Sequence, residues 1–356
     1  MTLENVSDEI VELQARLLDA VRTATSTPTV EVRGTLTPIS GGYYARIYGV
    51  EFDNAPSEFD HPLVLRVMPD ANHAAHEIAI QRAVAEQRYP APAVRLADPT
   101  QATLGHPYML MDRALGEPLL ANLSLAKAIT MLPRILATLP KLLATALVDL
   151  HQLDTAPVRA ALAATQIPKP EGTASLLAPL IDSPGVAYVE TLQRAVEWLQ
   201  EHEPSIGSAV VCHGDLHPLN ILAVGTDVKA IIDWTGARLA DPAFDVACTR
   251  VLVAQAPLTA PKAVQPILRA IGRSLARRFV KQYRKKLPLD DNQLQWHEAW
   301  QCARAISEVA NWRITGVESH AHPFETSLAG LSEHLQRITG IEVILPPARQ
   351  IAAEHT

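Results

Sequence analysis

The spacing of apolar residues changes character near residue 113, and this change constrains the fold most. Upstream, residues 30 to 68 form short runs rich in β-branched and aromatic residues separated by Gly, Pro and Asp turns, which predicts an antiparallel meander. Residues 3 to 22 and 73 to 87 carry apolar side chains at three- and four-residue intervals, which predicts helices. Downstream, the chain is mostly helical in pattern. We therefore predict an α+β fold with a small β-rich N-terminal lobe, residues 1–113, and a larger, mostly α-helical C-terminal lobe, residues 114–356.

The overall charge argues against a protein that binds nucleic acid. The 356 residues include 31 Lys+Arg and 38 Asp+Glu, a formal net charge of −7, whereas phosphate neutralisation needs a basic excess. One exception is the basic segment RSLARRFVKQYRKK, residues 273 to 286, whose basic residues surround an apolar stripe. We interpret it as a solvated helix face, in preference to a membrane or nucleic-acid surface.

Cysteine usage and apolar stretches predict a cytoplasmic protein without a membrane span. The cysteines are odd in number and lack C-x-x-C spacing, which favours a reducing compartment; they are Cys212, Cys248 and Cys302. The N-terminus lacks the pattern of a secretory signal. Pro140, Lys141 and Asp149 interrupt the longest apolar tract, residues 135 to 150, so we expect no membrane span. Residues 156 to 185, rich in Pro, Ala, Thr and Ser, predict a surface excursion.

The chemistry is concentrated between residues 210 and 247. Two apolar runs, 209–212 and 228–232, are each followed within three positions by an aspartate, Asp215 and Asp233, and Asn220 lies between them. Two carboxylates and an amide oxygen make a hard ligand set that suits Mg²⁺. The segment from residue 213 also follows the H-x-D-x-x-x-x-N pattern of a kinase catalytic loop. Asp215 would orient the substrate hydroxyl, and Asn220 and Asp233 would hold Mg²⁺ against nucleotide phosphates.

Other interpretations of these polar residues remain open. His213, Asp215 and His217 alternate along the chain and could bind Zn²⁺, although the spacing to the later residues fits the kinase pattern better. We expect His213 to be a hydrogen-bonded structural residue more than a base. Asp241 and Asp245 follow the second apolar run, and we favour a bracing role over direct chemistry for each.

The segments HGDLHPLNIL and IIDWTGARLADPAFDVA resemble signatures of the aminoglycoside phosphotransferase family, a branch of the protein-kinase-like fold. The resemblance extends more weakly over most of the chain. It implies an enzyme, a kinase that transfers the γ-phosphate of ATP or GTP to a hydroxyl-bearing small molecule with Mg²⁺. Asp215 would be its catalytic residue, and Asn220 and Asp233 its metal ligands.

The resemblance also implies nucleotide-binding residues in the N-terminal lobe. SGGYYARIY falls where the family has its nucleotide-covering loop, LVLRVM places an arginine where a phosphate-contacting lysine usually lies, and AHEIAIQ offers that residue's ion-pair partner. HPYMLMDRALGEPL resembles the strand and hinge that hold adenine, and LVDLHQLD, with His151, resembles the helix before the catalytic loop. The nucleotide-binding candidates are Ser40, Gly41, Gly42, Arg66, Glu77, Met111 and Arg113.

Departures from the kinase pattern narrow the substrate class. Gly214 takes the place of the arginine in H-R-D, and only eight positions separate Asp233 from Asp241, so there is no long activation segment. This argues against a protein substrate. The sequence also lacks G-x-x-x-x-G-K-[ST], which excludes a P-loop ATPase by motif.

The acceptor site is the least determined feature of the sequence. Trp296, Trp300 and Trp312 fall on what we predict to be a pair of late helices with Glu298 and Glu308, and we favour core packing for the tryptophans. The alternative is that some of them line the acceptor pocket, which makes candidate substrate contacts of Asp241, Glu308 and Trp312. Two other functions stay open: a metabolic kinase for an amino alcohol, sugar or hydroxyacyl compound, and a nucleotide-binding pseudoenzyme.

Overall fold

A computed structural model describes residues 3–39, 45–120, 125–165, 167, 172–205, 207–225, 227–256, 264–315 and 322–347. Its contacts group into two compact units. The first unit comprises Met1–Ala121, Ala156–Ile167 and Leu219–Ala237, and the second comprises Asn122–Thr155, Pro168–Pro218 and Arg238–Thr356. The division at residue 113 stays a prediction. The predicted nucleotide-covering residues Ser40, Gly41 and Gly42 lie outside the described residues.

The elements follow one another in a strand-rich part and then a helix-rich part. Up to residue 118 they are α1 (Leu3–Thr25), β1 (Glu31–Val32), β2 (Thr37–Pro38), β3 (Arg46–Val50), β4 (Phe52–Asp53), β5 (Leu63–Val67), α2 (Ala71–Glu86), β6 (Val94–Asp98), β7 (Tyr108–Asp112) and β8 (Glu117–Pro118). They continue with α3 (Leu125–His151), α4 (Thr155–Ala164), α5 (Ala174–Ile181), α6 (Pro184–Tyr188), α7 (Glu190–Glu201), β9 (Val210–Cys212), β10 (Ile221–Val224), β11 (Asp227–Ile231), β12 (Arg238–Ala240), α8 (Pro242–Ala254), α9 (Gln265–Tyr283), α10 (Asp291–Thr315) and α11 (Leu328–Thr339). Short 3₁₀ turns cover Pro218–Asn220, Trp234–Gly236 and Pro323–Ser327.

The first unit is built around a five-stranded antiparallel sheet in the order β2-β3-β5-β7-β6. The central strand β5 buries Leu63 and Leu65 on a core that also takes Leu17 and Val21 of α1. The predicted meander is present. Helix α2 starts where the Asp70 carboxylate accepts a hydrogen bond from the His73 N–H at 2.8 Å, a normal N-cap.

The second unit packs its helices around α10. The indole N–H groups of Trp296 and Trp300 donate to the carbonyls of Leu199 and Leu176 at 2.8 and 3.0 Å, and both rings are buried. Core packing therefore holds for these two tryptophans. The prediction that the three tryptophans lie on two late helices is wrong, because residues 291–315 form a single helix that carries all three.

The expected surface excursion at residues 156–185 is wrong for its later part, whereas α4 at its start buries only Val158. The segment forms α4, α5 and the start of α6, and α5 buries Leu176, Leu177 and Leu180 in the core of the second unit. The prediction took proline as a sign of a loop. Pro184 instead lies in the first turn of α6, where the helix needs no hydrogen bond from its missing N–H.

The prediction that the apolar tract of α3 is too interrupted to span a membrane also needs correction. Within this helix, Thr130–His151 is long and apolar enough by length and composition to cross a membrane, because the helix continues through Pro140. By length and composition, Pro140, Lys141 and Asp149 therefore do not exclude a membrane span, contrary to the prediction. A core helix of a soluble protein meets the same criteria, and one face of α3 is buried in the second unit; its residues are Leu139, Leu143, Leu147 and Leu150.

The basic segment forms the last turns of α9 and the residues after it. Its apolar stripe, Leu275, Phe279 and Tyr283, is buried. Arg277 and Lys281 are exposed on the other side of the helix, as expected for a solvated face.

Candidate functional site

A hairpin of the first unit places Asn220 and Asp233 next to each other in the fold. Strands β10 and β11 pair antiparallel with Ile221 opposite Ile231, and the Ile232 N–H donates to the Asn220 carbonyl at 2.9 Å. The two residues thus lie at the same end of the hairpin, although 13 positions separate them in the sequence. Carboxylate and amide oxygens are the donors that Mg²⁺ prefers, so this donor set fits the predicted ion.

Arg66 joins this hairpin to the sheet and to α2. Its Nη1 lies 3.1 Å from Glu77 Oε1, and its Nη2 lies 3.2 Å from Asp233 Oδ1. The same Nη2 donates to Thr235 Oγ1 at 2.7 Å, and the Thr235 hydroxyl donates to Asp233 Oδ1 at 2.5 Å. We call Arg66, Glu77, Asp233 and Thr235 the Arg66 cluster. It contains the ion pair that the resemblance implied and one residue, Thr235, that sequence reasoning missed.

Burial gives the Glu77 carboxyl an unusual titration. Its side chain is 3% exposed, and burial raises its pKa to about 7; Arg66 and Thr235 oppose that rise, and the nearby Asp233 charge adds to it. Among the described residues the buried Arg66 Nε atom has no hydrogen-bond partner. The cluster therefore has donor capacity left for an anionic oxygen such as that of a phosphate.

The backbone at Asp233 is held in an uncommon conformation. Its φ of 65° and ψ of 74° lie in the left-handed region, where a residue with a Cβ is disfavoured except for Asn and Asp. The turn begins where Ile232 ends its pairing with Asn220. This geometry leaves the Asp233 side chain 42% exposed while it still contacts Arg66. Such strained residues cluster at functional sites.

In the second unit, α8 holds the loop of residues 213–217 that contains Asp215. The Asp245 carboxylate accepts the His213 N–H at 2.7 Å and the Gly214 N–H at 2.6 Å, and His151 Nε2 lies 3.2 Å from it. Burial alone would raise the pKa of Asp245, but the hydrogen bond from His151 and the nearby His213 lower it overall. Asp245 thus braces the loop as an ionised acceptor.

Two further side chains of α8 bind the same loop. Cys248 Sγ donates to the Gly214 carbonyl at 2.9 Å, and Thr249 Oγ1 donates to the Leu216 carbonyl at 2.8 Å. Gly214 has a φ of +78°, which explains why glycine stands where kinases have arginine. The Asp215 N–H donates to His213 Nδ1 at 3.2 Å, so His213 is a structural residue with no proton on that nitrogen. Sequence reasoning missed Cys248 and Thr249, because nothing in their spacing marks them as loop contacts.

Asp215 itself is accessible. Its side chain is 39% exposed, and His217 Nε2 lies 3.5 Å from Asp215 Oδ2. His213, by contrast, is fully buried and its Nδ1 already accepts from the Asp215 backbone. The Zn²⁺ alternative is therefore weaker than the kinase pattern, because one of its three ligand atoms is occupied.

A buried group of three side chains has metal-ligand chemistry but is occupied by hydrogen bonds. Single ligand atoms of His151, Cys212 and Asp245 lie within 4.8 Å of one another. His151 Nδ1 lies 2.8 Å from the Tyr283 hydroxyl, and burial raises the pKa of Cys212 well above its usual value, so it is a thiol. We interpret the group as the support of the 213–217 loop, in which His151 has the position that the resemblance implied.

The remaining predicted site residues lie in diverse settings. Met111 is partly buried and directly follows the buried residues of β7; its sulfur accepts from Gln81 Nε2 at 3.3 Å. Arg113 is exposed, and its N–H donates to the Pro62 carbonyl at 3.0 Å. The Asp241 carboxylate caps α8 by accepting the Ala243 N–H at 2.8 Å. On α10, Glu308 pairs with Arg304, and Trp312 is partly buried.

This chain is similar to a known protein family in sequence and to several solved structures in fold. A family model described as "Phosphotransferase enzyme family" matches residues 35–304. Among solved structures, a Ralstonia eutropha JMP134 protein provisionally named an aminoglycoside phosphotransferase has 14% identity and a TM-score of 0.63, covering 92% of this chain and 98% of its own.

Two more solved structures are similar. A macrolide 2'-phosphotransferase type I has 16% identity and a TM-score of 0.52, covering 97% of this chain and 99% of its own. A thermostable mutant of aminoglycoside phosphotransferase APH(4)-Ia, in ternary complex with ADP and hygromycin B, has 16% identity and a TM-score of 0.52, covering 91% and 98%. At these identities the likenesses show a shared fold, which confirms the predicted α+β class.

Proposed function

Because the chain belongs to the phosphotransferase enzyme family and has its protein-kinase-like fold, we propose that this enzyme transfers the γ-phosphate of ATP or GTP to the hydroxyl of a small molecule. The single observation that carries the proposal is the 213–217 loop. It holds Asp215 partly exposed in an H-x-D-x-x-x-x-N segment, on four hydrogen bonds from or to α8. The structure with ADP and hygromycin B supports the same pairing of nucleotide with hydroxyl-bearing acceptor for a protein of this fold.

In the proposed reaction the acceptor hydroxyl oxygen forms a bond to the γ-phosphorus of the nucleotide. The bond from that phosphorus to the bridging oxygen breaks, and the nucleoside diphosphate leaves with the electron pair. Asp215 orients the hydroxyl and accepts its proton. Asn220 and Asp233 would hold Mg²⁺, which when bound supplies positive charge to the phosphate oxygens. Arg66, positioned by Glu77, would contact the phosphates.

Substitution of Asp215 tests the proposal. We expect Asp215→Asn to reduce kcat about 10²–10⁴-fold, because the amide orients a hydroxyl but accepts no proton. Nucleotide affinity should change less than about threefold. The measurement is coupled nucleotide consumption over a panel of hydroxyl compounds, with nucleotide binding followed separately by calorimetry.

The control is His217→Asn, which changes the neighbour of Asp215 and keeps the carboxylate; it should retain most of the turnover. Full activity of Asp215→Asn would show that the assigned role is wrong. Nucleotide binding by the wild-type enzyme without turnover of any acceptor would favour the pseudoenzyme alternative.

A further inference from the structure

The 3₁₀ turn that follows Asp233 holds Thr235 at a fixed position in the first unit. The Trp234 side chain is fully buried, and its indole N–H donates to the Ile231 carbonyl at 3.0 Å. On the other side of Thr235, the Ala237 N–H donates to the Trp234 carbonyl at 3.0 Å. Thr235 is itself exposed, so its neighbours anchor the turn while its own side chain stays at the surface.

The Thr235 hydroxyl is hydrogen-bonded on both of its sides. Its oxygen accepts a hydrogen bond from Arg66 Nη2 at 2.7 Å, and the hydroxyl donates to Asp233 Oδ1 at 2.5 Å. A guanidinium can only donate, and a hydroxyl carries a single proton, so that proton is directed at the carboxylate. Thr235 thus connects the Arg66 guanidinium to the Asp233 carboxylate.

The Arg66 side chain is fixed by contacts away from the turn. Arg66 lies on β5 and is 7% exposed, and its Nη1 lies 3.1 Å from Glu77 Oε1 on α2. The Glu77 side chain is also buried, so the ion pair has little freedom to move. The hydrogen bond that Arg66 donates therefore fixes where the Thr235 oxygen lies.

The contacts of Thr235 and Arg66 fall on the same oxygen of Asp233. Thr235 Oγ1 lies 2.5 Å and Arg66 Nη2 lies 3.2 Å from Asp233 Oδ1. The last torsion of an aspartate side chain has a broad distribution, and this side chain is 42% exposed. Its carboxylate would therefore turn readily without neighbours, and two hydrogen bonds to one oxygen restrict it to one orientation.

This arrangement differs from that of an aspartate that only closes a turn. In the described part of the chain, Asp233 precedes its 3₁₀ turn without making a side-chain capping hydrogen bond. Asp98, by contrast, accepts the Thr100 hydroxyl at 2.6 Å and also the N–H groups of Thr100 and Thr103, at 2.8 and 3.2 Å. Asp98 therefore stabilises its own turn, whereas a hydroxyl and a guanidinium orient the Asp233 carboxylate.

The main chain at Asp233 is fixed independently of these side chains. The Ile232 N–H donates to the Asn220 carbonyl at 2.9 Å, which sets the backbone of one proposed metal ligand relative to the other. Only the side-chain torsions of Asp233 are then left for Thr235 and Arg66 to set. Hydrogen bonds that orient a ligand carboxylate are part of a metal site, and their loss typically costs 10–100-fold in metal affinity.

We propose that Thr235 is a positioning residue, whose hydroxyl, held by Arg66, fixes the Asp233 carboxylate in the orientation that binds the Mg²⁺ ion of the nucleotide. This rests on the proposed function, in which Asp233 is a metal ligand, and adds to it a residue that acts through Asp233. Loss of the hydroxyl leaves the ligand in place and lets its carboxylate turn, so metal affinity falls while Arg66 keeps its ion pair with Glu77.

The test measures how much Mg²⁺ strengthens nucleotide binding, by calorimetry on the full-length enzyme. The probe is the non-hydrolysable ATP analogue AMP-PNP, titrated once in excess Mg²⁺ and once in EDTA; the ratio of the two Kd values is the metal-dependent gain. We expect Thr235→Val, which replaces the hydroxyl by a methyl group, to lose about 10–100-fold in affinity with Mg²⁺. Its Kd in EDTA should stay close to the wild-type value.

Two further variants separate the hydroxyl from other effects of substitution. Thr235→Ser keeps the hydroxyl and should recover most of the metal-dependent gain. Thr100→Val is the matched control, because it removes an exposed hydroxyl that donates to an aspartate two residues earlier, and it should keep the wild-type gain. Circular dichroism and a thermal melt establish that each variant is folded.

The outcomes distinguish the role of Thr235 from the proposed function. An unchanged gain in folded Thr235→Val, or an equal loss in Thr235→Ser, would overturn the positioning role while the proposed function stands. Nucleotide binding by the wild type that does not depend on Mg²⁺ would overturn the proposed metal site, and the role of Thr235 with it.

Discussion

Arg66 illustrates how a single residue type can serve three contacts. One terminal nitrogen lies beside Glu77, and the other contacts both Asp233 and Thr235. A lysine has a single terminal nitrogen, so it could not place one nitrogen beside Glu77 and a second beside Asp233. The arginine therefore does more than replace the lysine of the kinase pattern, because its fork ties α2 to the β10–β11 hairpin.

Glu77 should make the stability of the protein depend on pH. Its pKa is raised from 4.5 to about 7 in the folded state, so the folded protein retains this proton where the unfolded chain has lost it. The stabilisation is therefore complete below about pH 4.5 and is lost as the pH rises towards 7. In Glu77→Gln this loss should be absent, a difference on the order of 2 kcal/mol.

The measurement is the free energy of unfolding in urea between pH 4.5 and 8 for the wild type and Glu77→Gln. Other titrating groups are common to both proteins, so the difference between the two curves isolates this carboxyl. Parallel curves would show that the pKa of Glu77 is not raised.

At the scale of elements, α8 supports the 213–217 loop. Its Cys248 and Thr249 lie three and four positions after Asp245, on the helix face towards the loop, and each of the three satisfies a backbone group there. A loop held by one rigid helix keeps its functional side chain in a defined position. The hairpin of β10 and β11 does the same for Asn220 and Asp233 through backbone pairing alone.

Removing the main brace should destabilise the protein strongly. Asp245→Ala leaves two loop N–H groups and His151 without their acceptor, so we expect a loss of about 3–5 kcal/mol in the free energy of unfolding. Asp149→Ala, an exposed carboxylate on α3 in the same unit, is the matched control and should change it by less than about 0.5 kcal/mol. Urea unfolding measures both, and equal effects would mean that Asp245 is not the brace.

At the scale of the whole molecule, the chain passes from one unit to the other within the H-x-D-x-x-x-x-N segment. Asp215 belongs to the second unit, whereas Asn220, five positions later, and Asp233 belong to the first. The proposed site residues are therefore close in sequence but belong to different compact units. Each anchor uses different physics: helix side chains for Asp215, and strand pairing for Asn220.

Binding of nucleotide with Mg²⁺ should raise the melting temperature of the whole protein. A ligand at 100 times its Kd adds about 2.7 kcal/mol to folding stability, and the effect should require both components. Asp233→Asn should abolish most of this shift, because it removes a charge from the proposed metal ligands while asparagine still tolerates the left-handed backbone. A thermal melt with nucleotide alone, Mg²⁺ alone and both is the measurement. An undiminished shift in Asp233→Asn would contradict the metal assignment.

Several features could be predicted because their cause is local in the sequence. The strands up to β7 and helix α2 follow from short-range periodicity. By contrast, the apolar residues of α5 lie among prolines and alanines that look like loop, and only packing against α7 and α10 makes them core. Thr235 and Cys248 are ordinary residues whose contacts depend on which element folds against them, so no spacing could identify them.

The amino-acid sequence by itself determined which donor groups the segment from Asp215 to Asp233 offers, since their residue types and spacings are covalent facts of one short stretch. Only the tertiary structure decided what surrounds this segment: the bridge from Arg66 to Asp233 and the brace from Asp245. These contacts join residues 31 to 167 positions apart in the chain, with Gly214 and Asp245 at the lower limit and Arg66 and Asp233 at the upper. Such pairings are selected by the packing of whole elements, which local periodicity does not encode.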